Sequence, residues 1–511
     1  MESNVGRSSR WYVTDLKSVN VAITVYFYRM KEHAYQALAG QLASMIDKGI
    51  YKPGEKLPSV RRLHQEHQLS MGTVLLAFQH LADKGLITAR EKSGYFVNQR
   101  AGKVLPLPQS LPASVSAHTV RIDQVLQQMK MEGKGRRFVS FTAALPDDRM
   151  LPYNSIKRAI QQVSRDVSGS YLMQESRKGY PALREAIAKR SFWWKGTTHP
   201  DEVVITNGAT EAILCCLKAV TKPGDTVLVQ DPCYYGIMRV LECLELKIAT
   251  IPSYHGRGVD YTELRDACQR LSVKACILVS NFNNPDGASI STDSKKRIAA
   301  FANEACMPVI EDDLYGELYT GGGRPDTIKA YDSGGWVMYC NSFTKTLVPG
   351  FRIGWCAAGR FADEVARIKS MHNGATSSLG QRVVEQLVTS GAYDRHLHRY
   401  RVELGKNLHR VTQVIENHFP EGTRITRPQG GMVLWIELPA CINTVALQDA
   451  ALAQDVAYAP GEIFSAKGDY QHYLRISYAL TWEPRVEKAL VRLGQLITQA
   501  SRQQGIQRHS A

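Results

Sequence analysis

The chain has no Cys-x-x-Cys pair, and all ten of its cysteines lie beyond residue 200. A disulfide framework or a zinc site would require closely spaced pairs, which this pattern does not offer. Scattered single thiols are typical of proteins that stay in a reducing compartment. We therefore expect a cytoplasmic protein with free thiols and no structural metal.

Long apolar runs are also missing. The longest one near the N-terminus spans residues 19–28, and Asn20 and Thr24 interrupt it. A membrane-spanning helix needs about 20 apolar residues, so no contact with a membrane is expected. No small-residue cleavage site follows the run, which argues against a secretory signal.

Acidic residues are scarce at one end of the chain. Residues 1–137 hold 20 Lys and Arg against 10 Asp and Glu, so +10 of the formal net charge of +15 lies there. A basic segment of this kind suggests a polyanionic partner, although a solvated basic surface without a partner stays open on charge alone. The 511 residues, 44% of them apolar, predict two or three domains.

Residues 34–97 have the periodicity of three short helices and a hairpin. Apolar residues recur at helical spacing from His33, and Lys52-Pro53-Gly54 breaks that helix. Ser59 is the predicted N-cap of a second helix, and Ser70 precedes a third. Strand-like residues 86–88 and 95–97 flank a polar turn, which predicts a winged helix-turn-helix.

This segment resembles the DNA-binding domain of the GntR superfamily. The match runs through Leu57-Pro58-Ser59-Val60-Arg61, Thr73-Val74, 84–87 and 93–97. The resemblance implies that the third helix enters the major groove of double-stranded DNA and that the hairpin contacts the minor groove or the backbone. It implies DNA contacts for Ser59, Arg61, Arg62, Ser70, Thr73, Lys92 and Gly94. Thr73 could equally be a helix-capping residue, and both roles could hold together. Met71, Leu75 and Leu76 depart from the family, because those positions often carry polar groups that read DNA.

From residue 138 onward, short apolar strands alternate with helical patterns. Continuous apolar runs at 203–205, 226–229, 276–279 and 308–310 predict a parallel sheet covered on both faces. Within this α/β pattern, Lys345 stands among small and hydroxyl residues just after a predicted strand. Such a lysine can form a Schiff base with an aldehyde cofactor. Ser342 and Arg352 bracket it and could bind a phosphate group.

The Ser342-to-Arg352 motif makes residues 138–500 resemble the fold-type I, class I aminotransferases. The resemblance implies pyridoxal 5′-phosphate as cofactor and Lys345 as the catalytic lysine. It implies that Asp312 pairs with the pyridinium nitrogen, while the adjacent Asp313 is a competing choice. The other implied cofactor contacts are Gly208, Ala209 and Thr210 for the phosphate, Tyr234 stacked on the ring, and Asn284 and Tyr315 at the phenolic oxygen.

Arg475 lies between apolar strand residues and matches the arginine that binds the α-carboxylate of amino-acid substrates in that family. An arginine is costly to bury without a partner, which favours a role in binding an amino-acid or amine effector. Tyr171 is a weaker candidate for a phosphate contact across a subunit interface, because the stretch that follows it is longer than usual.

The combination of the two halves resembles the MocR-type regulators. We predict an N-terminal extension of unclear role at 1–30, a winged helix-turn-helix domain at 31–99 and a linker at 100–137. A large cofactor-binding domain follows at 138–385, and a smaller α+β C-terminal subdomain at 386–511. The resemblance implies a homodimeric transcription regulator whose body senses an amine.

Two other functions stay open. An active aminotransferase with an accessory DNA-binding head is the main alternative, because no catalytic group is missing, so the sequence does not decide whether the chain is an enzyme. A DNA-binding protein with an inactive body is the weaker one, since the lysine motif is intact.

Overall fold

We analysed a computed structural model of the chain, which describes residues 34–46, 48–83, 86–90, 93–97, 105–109, 117–119, 138–165, 174–320 and 323–509. The predicted extension 1–30, Lys92, Tyr171 and most of the predicted linker lie outside these residues. The chain divides into two compact units, Met1–Ala101 and Gly102–Ala511. The finer division into five segments stays a prediction.

The first unit, which we call the head, contains three helices and a hairpin. The helices are α1 (34–46), α2 (Val60–His67) and α3 (Met71–Asp83), and the strands are β1 (Ile87–Arg90) and β2 (Gly94–Val97). The two strands pair antiparallel, from Ile87 opposite Val97 to Arg90 opposite Gly94. Phe78 on α3 is fully buried and stacks on Tyr95 of β2, with 4.4 Å between ring centroids. This is the winged helix-turn-helix that the sequence predicts.

Two described pieces of the predicted linker lie against the second unit, which we call the body. Residues 105–109 run beside its C-terminal part, where the Pro106 carbonyl accepts a hydrogen bond from the Ile425 amide at 3.0 Å. The Gln109 amide donates to the Glu437 carboxylate at 2.7 Å. Further along, β3 (His118–Thr119) pairs with an edge strand of the large sheet. These pieces of the linker are thus held by the body.

The body contains the remaining helices and strands. Its strands are β4 (Val139–Ser140), β5 (Val203–Thr206), β6 (Thr226–Asp231), β7 (Lys247–Tyr254), β8 (Gly258–Val259), β9 (Val273–Val279), β10 (Val309–Asp312), β11 (Val337–Ser342), β12 (Gly354–Ala357), β13 (Arg424–Ile425), β14 (Val433–Glu437), β15 (Val456–Ala457), β16 (Ala459–Pro460) and β17 (Tyr473–Ser477). Its helices are α4 (Tyr153–Arg165), α5 (Pro181–Arg190), α6 (Ala209–Val220), α7 (Tyr235–Cys243), α8 (Tyr261–Arg270), α9 (Thr292–Glu304), α10 (Ala362–Asn373), α11 (Ser378–Thr389), α12 (Ala392–His418), α13 (Gln448–Leu452) and α14 (Pro484–His509).

The large sheet has the order β3-β7-β6-β9-β10-β11-β12-β5, with β8 paired to β7. Strands β7, β6, β9, β10 and β11 are parallel, as the apolar runs predict. The sheet is nevertheless mixed, because β12 is antiparallel to both of its neighbours and β3 is antiparallel to β7. Apolar clusters bury both faces of this sheet, so its strands have few exposed positions.

A smaller antiparallel sheet, β13-β14-β17-β16, forms the C-terminal part of the body. The long helices α12 and α14 pack against each other beside it. The first body strand, β4, pairs with β15 and so joins elements from opposite ends of the body sequence. No helix within the described ranges is long and apolar enough to cross a membrane.

Candidate functional site

Lys345 follows the last residues of β11 and points its amine into the body. The Lys345 Nζ donates a hydrogen bond to the carbonyl of Ala144 at 2.7 Å. Burial and the positive charge of Arg475 together lower the pKa of this amine to about 8, against the opposing attraction of Asp312. A substantial neutral fraction near neutral pH makes this amine a competent nucleophile.

Two adjacent carboxylates at the end of β10 have different surroundings. The Asp313 carboxylate forms a buried ion pair with Arg324 and accepts hydrogen bonds from Tyr339 and Asn281, each at 2.8 Å. Asp312 accepts one from the Leu314 amide at 3.2 Å, and burial raises its pKa to about 7. Because the structural network occupies Asp313, the geometry favours Asp312 as the partner of a ring nitrogen.

Asn284 connects Tyr315 with Arg475. Its Nδ2 lies 3.4 Å from the Tyr315 hydroxyl, and its Oδ1 accepts a hydrogen bond from Arg475 Nη1 at 3.2 Å. Burial raises the pKa of Tyr315, so its hydroxyl stays protonated and can donate. Three residues that are distant in sequence therefore meet at one place.

Arg475 is a buried cation that has no anionic partner in the part of the chain that the structure describes. Its side chain lies on β17 with 1% exposure, and burial lowers its pKa. Nη2 donates to the Thr142 carbonyl, whereas Nε has no hydrogen-bond partner. Within the described residues no Asp or Glu side chain forms a salt bridge with it. This guanidinium is thus positioned to bind an external carboxylate.

The start of α6 and the guanidinium of Arg352 form a cradle for an anion. Gly208 is the N-cap of α6 at φ +84°, and an added Cβ there would lie 2.4 Å from Arg352 Nη2. Ala209 and Thr210 form the first turn, and the Thr210 side chain is exposed. A helix N-terminus beside an arginine is a favourable place for a phosphate group.

Ser342 does not contact Arg352 directly. Its hydroxyl lies 2.8 Å from Thr344 Oγ1 and 3.0 Å from the carbonyl of Ile353. It is Thr344 Oγ1 that accepts a hydrogen bond from Arg352 Nη1, at 3.2 Å. The sequence analysis assigned no role to Thr344, although a hydroxyl residue directly before the lysine was a usable signal.

Tyr234 lies at the start of α7, just after β6. Its ring occupies the space beside Gly236, where an added Cβ would lie 2.4 Å from Tyr234 Cε1. The ring of Tyr235 lies 4.6 Å away between centroids, and this residue too was missed by the sequence analysis.

These groups fit pyridoxal 5′-phosphate. The carboxylate of Asp312, the amine of Lys345 and the cradle at Gly208 and Arg352 match the ring nitrogen, aldehyde and phosphate of that cofactor. The unpartnered Nε of the buried Arg475 leaves a donor for an amino-acid carboxylate.

Comparison with known proteins matches each half of the chain. Residues 143–493 match the family described as aminotransferase class I and II, and residues 34–97 match the bacterial regulatory proteins of the gntR family. The chain is 37% identical to the uncharacterized HTH-type transcriptional regulator YdcR of Escherichia coli over 91% of this chain and 98% of that protein. This chain belongs to the MocR-type regulators, which join these two families.

Two further proteins are similar to this MocR-type regulator, one over nearly its whole length and one over its body. The uncharacterized HTH-type transcriptional regulator YjiR of Escherichia coli is 35% identical over 91% of this chain and 99% of its own length. The α-aminoadipate aminotransferase LysN from Thermus thermophilus, solved in complex with N-(5′-phosphopyridoxyl)-L-leucine, superimposes with a TM-score of 0.67 at 29% identity. That match covers 72% of this chain and 93% of LysN. The body is thus a pyridoxal-phosphate-dependent fold, and the head binds DNA.

The described residues among the predicted DNA contacts lie at the start of α2, at the start of β2 and at the start of α3. Ser59 caps α2 and accepts a hydrogen bond from the Arg62 amide at 3.2 Å. Arg61 is exposed, whereas the exposed Arg62 forms an ion pair with Glu66 at 2.7 Å. Gly94 begins β2 at φ +106°, which only glycine adopts readily.

Ser70 caps α3, and Thr73 lies in the first turn of that helix. The Ser70 Oγ accepts a hydrogen bond from the Thr73 amide at 3.1 Å and lies 2.7 Å from the Thr73 hydroxyl. Thr73 is only 4% exposed, so its hydroxyl is not presented to solvent, and the capping side chain is that of Ser70 and not that of Thr73. Its role as a direct DNA contact stays a prediction and has no support from this geometry.

Proposed function

We propose that this MocR-type regulator senses an amino-acid effector at its cofactor site and transmits its binding to DNA as a cytoplasmic homodimer. The observation that carries the proposal is Arg475, a buried guanidinium that contacts two neutral oxygens and the Phe464 ring and forms no salt bridge within the described residues. Burying a charge without a counter-charge costs desolvation free energy, and a carboxylate ligand would offset that cost by pairing with the guanidinium. An amino acid supplies that carboxylate together with an amine.

Each residue of the site would have a distinct role in binding such a ligand. Pyridoxal 5′-phosphate, when bound, supplies an aldehyde that reacts with amines and a ring that withdraws electrons. Arg475 and Asn284 would orient the effector carboxylate, and Asp312 would hold a proton at the ring nitrogen. Lys345, with its pKa near 8, would give up or accept a proton as the effector amine exchanges with it.

Dimerisation has a physical reason in a regulator of this kind. Two heads held together bind two half-sites with an effective concentration that a single head lacks. The aminotransferase-like body, with its sheets and long helices, is the part that would join the chains. The absence of paired cysteines fits a reducing cytoplasm.

The decisive experiment is a pair of titrations on the full-length, cofactor-loaded protein. Amino acids are first ranked by the change that each causes in the visible absorbance of the cofactor. The affinity of the best one is then measured with and without the duplex that the protein selects from a random library. Linkage requires that DNA change effector affinity by the same factor as the effector changes DNA affinity. Equal effector affinities with and without DNA would refute the proposal.

A second function, catalysis of transamination, is favoured by the low pKa of Lys345 and by the likeness to LysN. The two functions differ in turnover. An enzyme would release many equivalents of oxo acid per cofactor when given an amino acid and an acceptor oxo acid. A regulator would release at most one.

A further inference from the structure

The solvent-facing side of α3 carries apolar residues and no cation. The exposed positions Met71, Gly72, Leu75, Leu76 and Gln79 form one stripe at helical spacing. Met71, Leu75 and Leu76 are 42%, 45% and 54% exposed. The helix Met71–Asp83 contains no Lys or Arg. The opposite side of α3 packs in the core of the head, where four of its residues are fully buried: Val74, Ala77, Phe78 and Leu81.

In a helix-turn-helix motif the second of the two helices, which is α3 in this head, lies in the major groove of DNA with its N-terminal residues against the base edges. Three of the five stripe residues are apolar, and Gly72 adds a bare stretch of backbone with no crowding beyond Ser70 Oγ at 3.8 Å. The major-groove edges of guanine, cytosine and adenine offer only hydrogen-bonding groups, whereas thymine adds a C5-methyl group. An apolar stripe therefore has one complementary base.

We propose that Met71, Leu75 and Leu76 read the methyl groups of thymines in the DNA sites of this regulator. Attraction to the backbone would come from cations outside α3, such as Arg61 on α2, and specificity from the apolar stripe. This proposal rests on the DNA binding of the head and names the base that it reads.

The test replaces thymine by deoxyuridine, which pairs identically but lacks the methyl group. The full-length protein first selects its tightest duplex from a random library, and each thymine of that duplex is then replaced singly. At the contacted thymines we expect affinity to fall about three- to fivefold per methyl group, the effect of one buried carbon. Thymines outside the contacted positions should change affinity less than twofold.

Protein variants assign the effect to the stripe. Leu75→Ala and Leu76→Ala should bind the thymine duplex more weakly and should no longer distinguish it from the deoxyuridine duplex at their own contact positions. Ile50→Ala is the matched control, because Ile50 is an exposed apolar residue of the head, at 58%, that lies outside α3. This control should keep the full thymine preference.

The outcomes separate this inference from the function of the protein. If no duplex is selected, DNA binding itself fails. If a duplex is selected but deoxyuridine changes nothing, or if the leucine variants keep the full thymine preference, the stripe does not read methyl groups and the inference is wrong. Variants whose head has lost its helical circular dichroism are replaced by Leu75→Gln and Leu76→Gln, which keep side-chain length.

Discussion

Asp312 should lower the stability of the cofactor-free body, so its replacement by the isosteric Asn should stabilise that form. Burial raises the pKa of Asp312 from 3.8 to about 7. The folded state therefore binds more protons than the unfolded state between these values, and stability falls as pH rises through that window. At 1.36 kcal/mol per pKa unit, this rise of about three units lowers the free energy of unfolding by about 4 kcal/mol above pH 7.

Asp312→Asn removes this cost and keeps an oxygen for the Leu314 amide. It also removes the attraction to the Lys345 ammonium, so we expect a net gain of about 2 to 4 kcal/mol in the free energy of unfolding at pH 8. The gain should shrink by about 1.4 kcal/mol for each pH unit below 7. Urea unfolding of the cofactor-free full-length protein, followed by tryptophan fluorescence at several pH values, measures it.

The adjacent carboxylate supplies the matched control. Asp313→Asn removes one of the two carboxylates that pair with the buried Arg324, the other being Glu317, so it should destabilise the same protein by about 1.5 to 3 kcal/mol, the range for a hydrogen bond to a charged group. Two neighbouring Asp→Asn changes are thus expected to have opposite signs. Destabilisation by Asp312→Asn at pH 8, or a gain that does not vary with pH, would refute the reasoning from burial.

Three further predictions concern the cofactor and DNA. Borohydride should fix the cofactor covalently to the wild type but not to Lys345→Ala, as mass spectrometry would show; an adduct in the variant would exclude this lysine. Gly208→Ala should weaken cofactor binding at least tenfold because its Cβ would collide with Arg352, whereas Gly405→Ala, which has open space, should leave binding unchanged. Arg61→Ala should flatten the log–log dependence of DNA affinity on salt by about one unit, and an unchanged slope would place Arg61 outside the interface.

The sequence alone was sufficient for the elements whose signals are local. Ser59 was predicted as an N-cap because a hydroxyl residue precedes an apolar periodic run, and its side chain does accept the Arg62 amide. The central strands β6, β9 and β10 were predicted from uninterrupted apolar runs, which a doubly covered sheet requires. Such signals lie within a few residues of the feature that they predict.

The features that depend on distant partners could not be predicted in this way. The antiparallel direction of β12 depends on where the chain returns to the sheet. The residues of this strand, Gly354–Ala357, do not indicate that direction. The choice between Asp312 and Asp313 depends on Arg324 and Tyr339, which the sequence does not connect with either carboxylate. The burial of Thr73 depends on how α3 packs on the rest of the head.

Arg475 is the most informative residue of the body, because its key property also depends on distant parts of the chain. Its strand and its apolar neighbours are visible in the sequence, but only the fold shows that no Asp or Glu of the described residues forms a salt bridge with it. A fold selected only for stability would gain from an acid beside it or from an apolar residue in its place. Under the proposed function a bound carboxylate would remove this desolvation penalty, so the energy of ligand binding could favour one conformation of the body over another. That differential is what a sensor requires, and it is available to the body whether or not the site turns over a substrate.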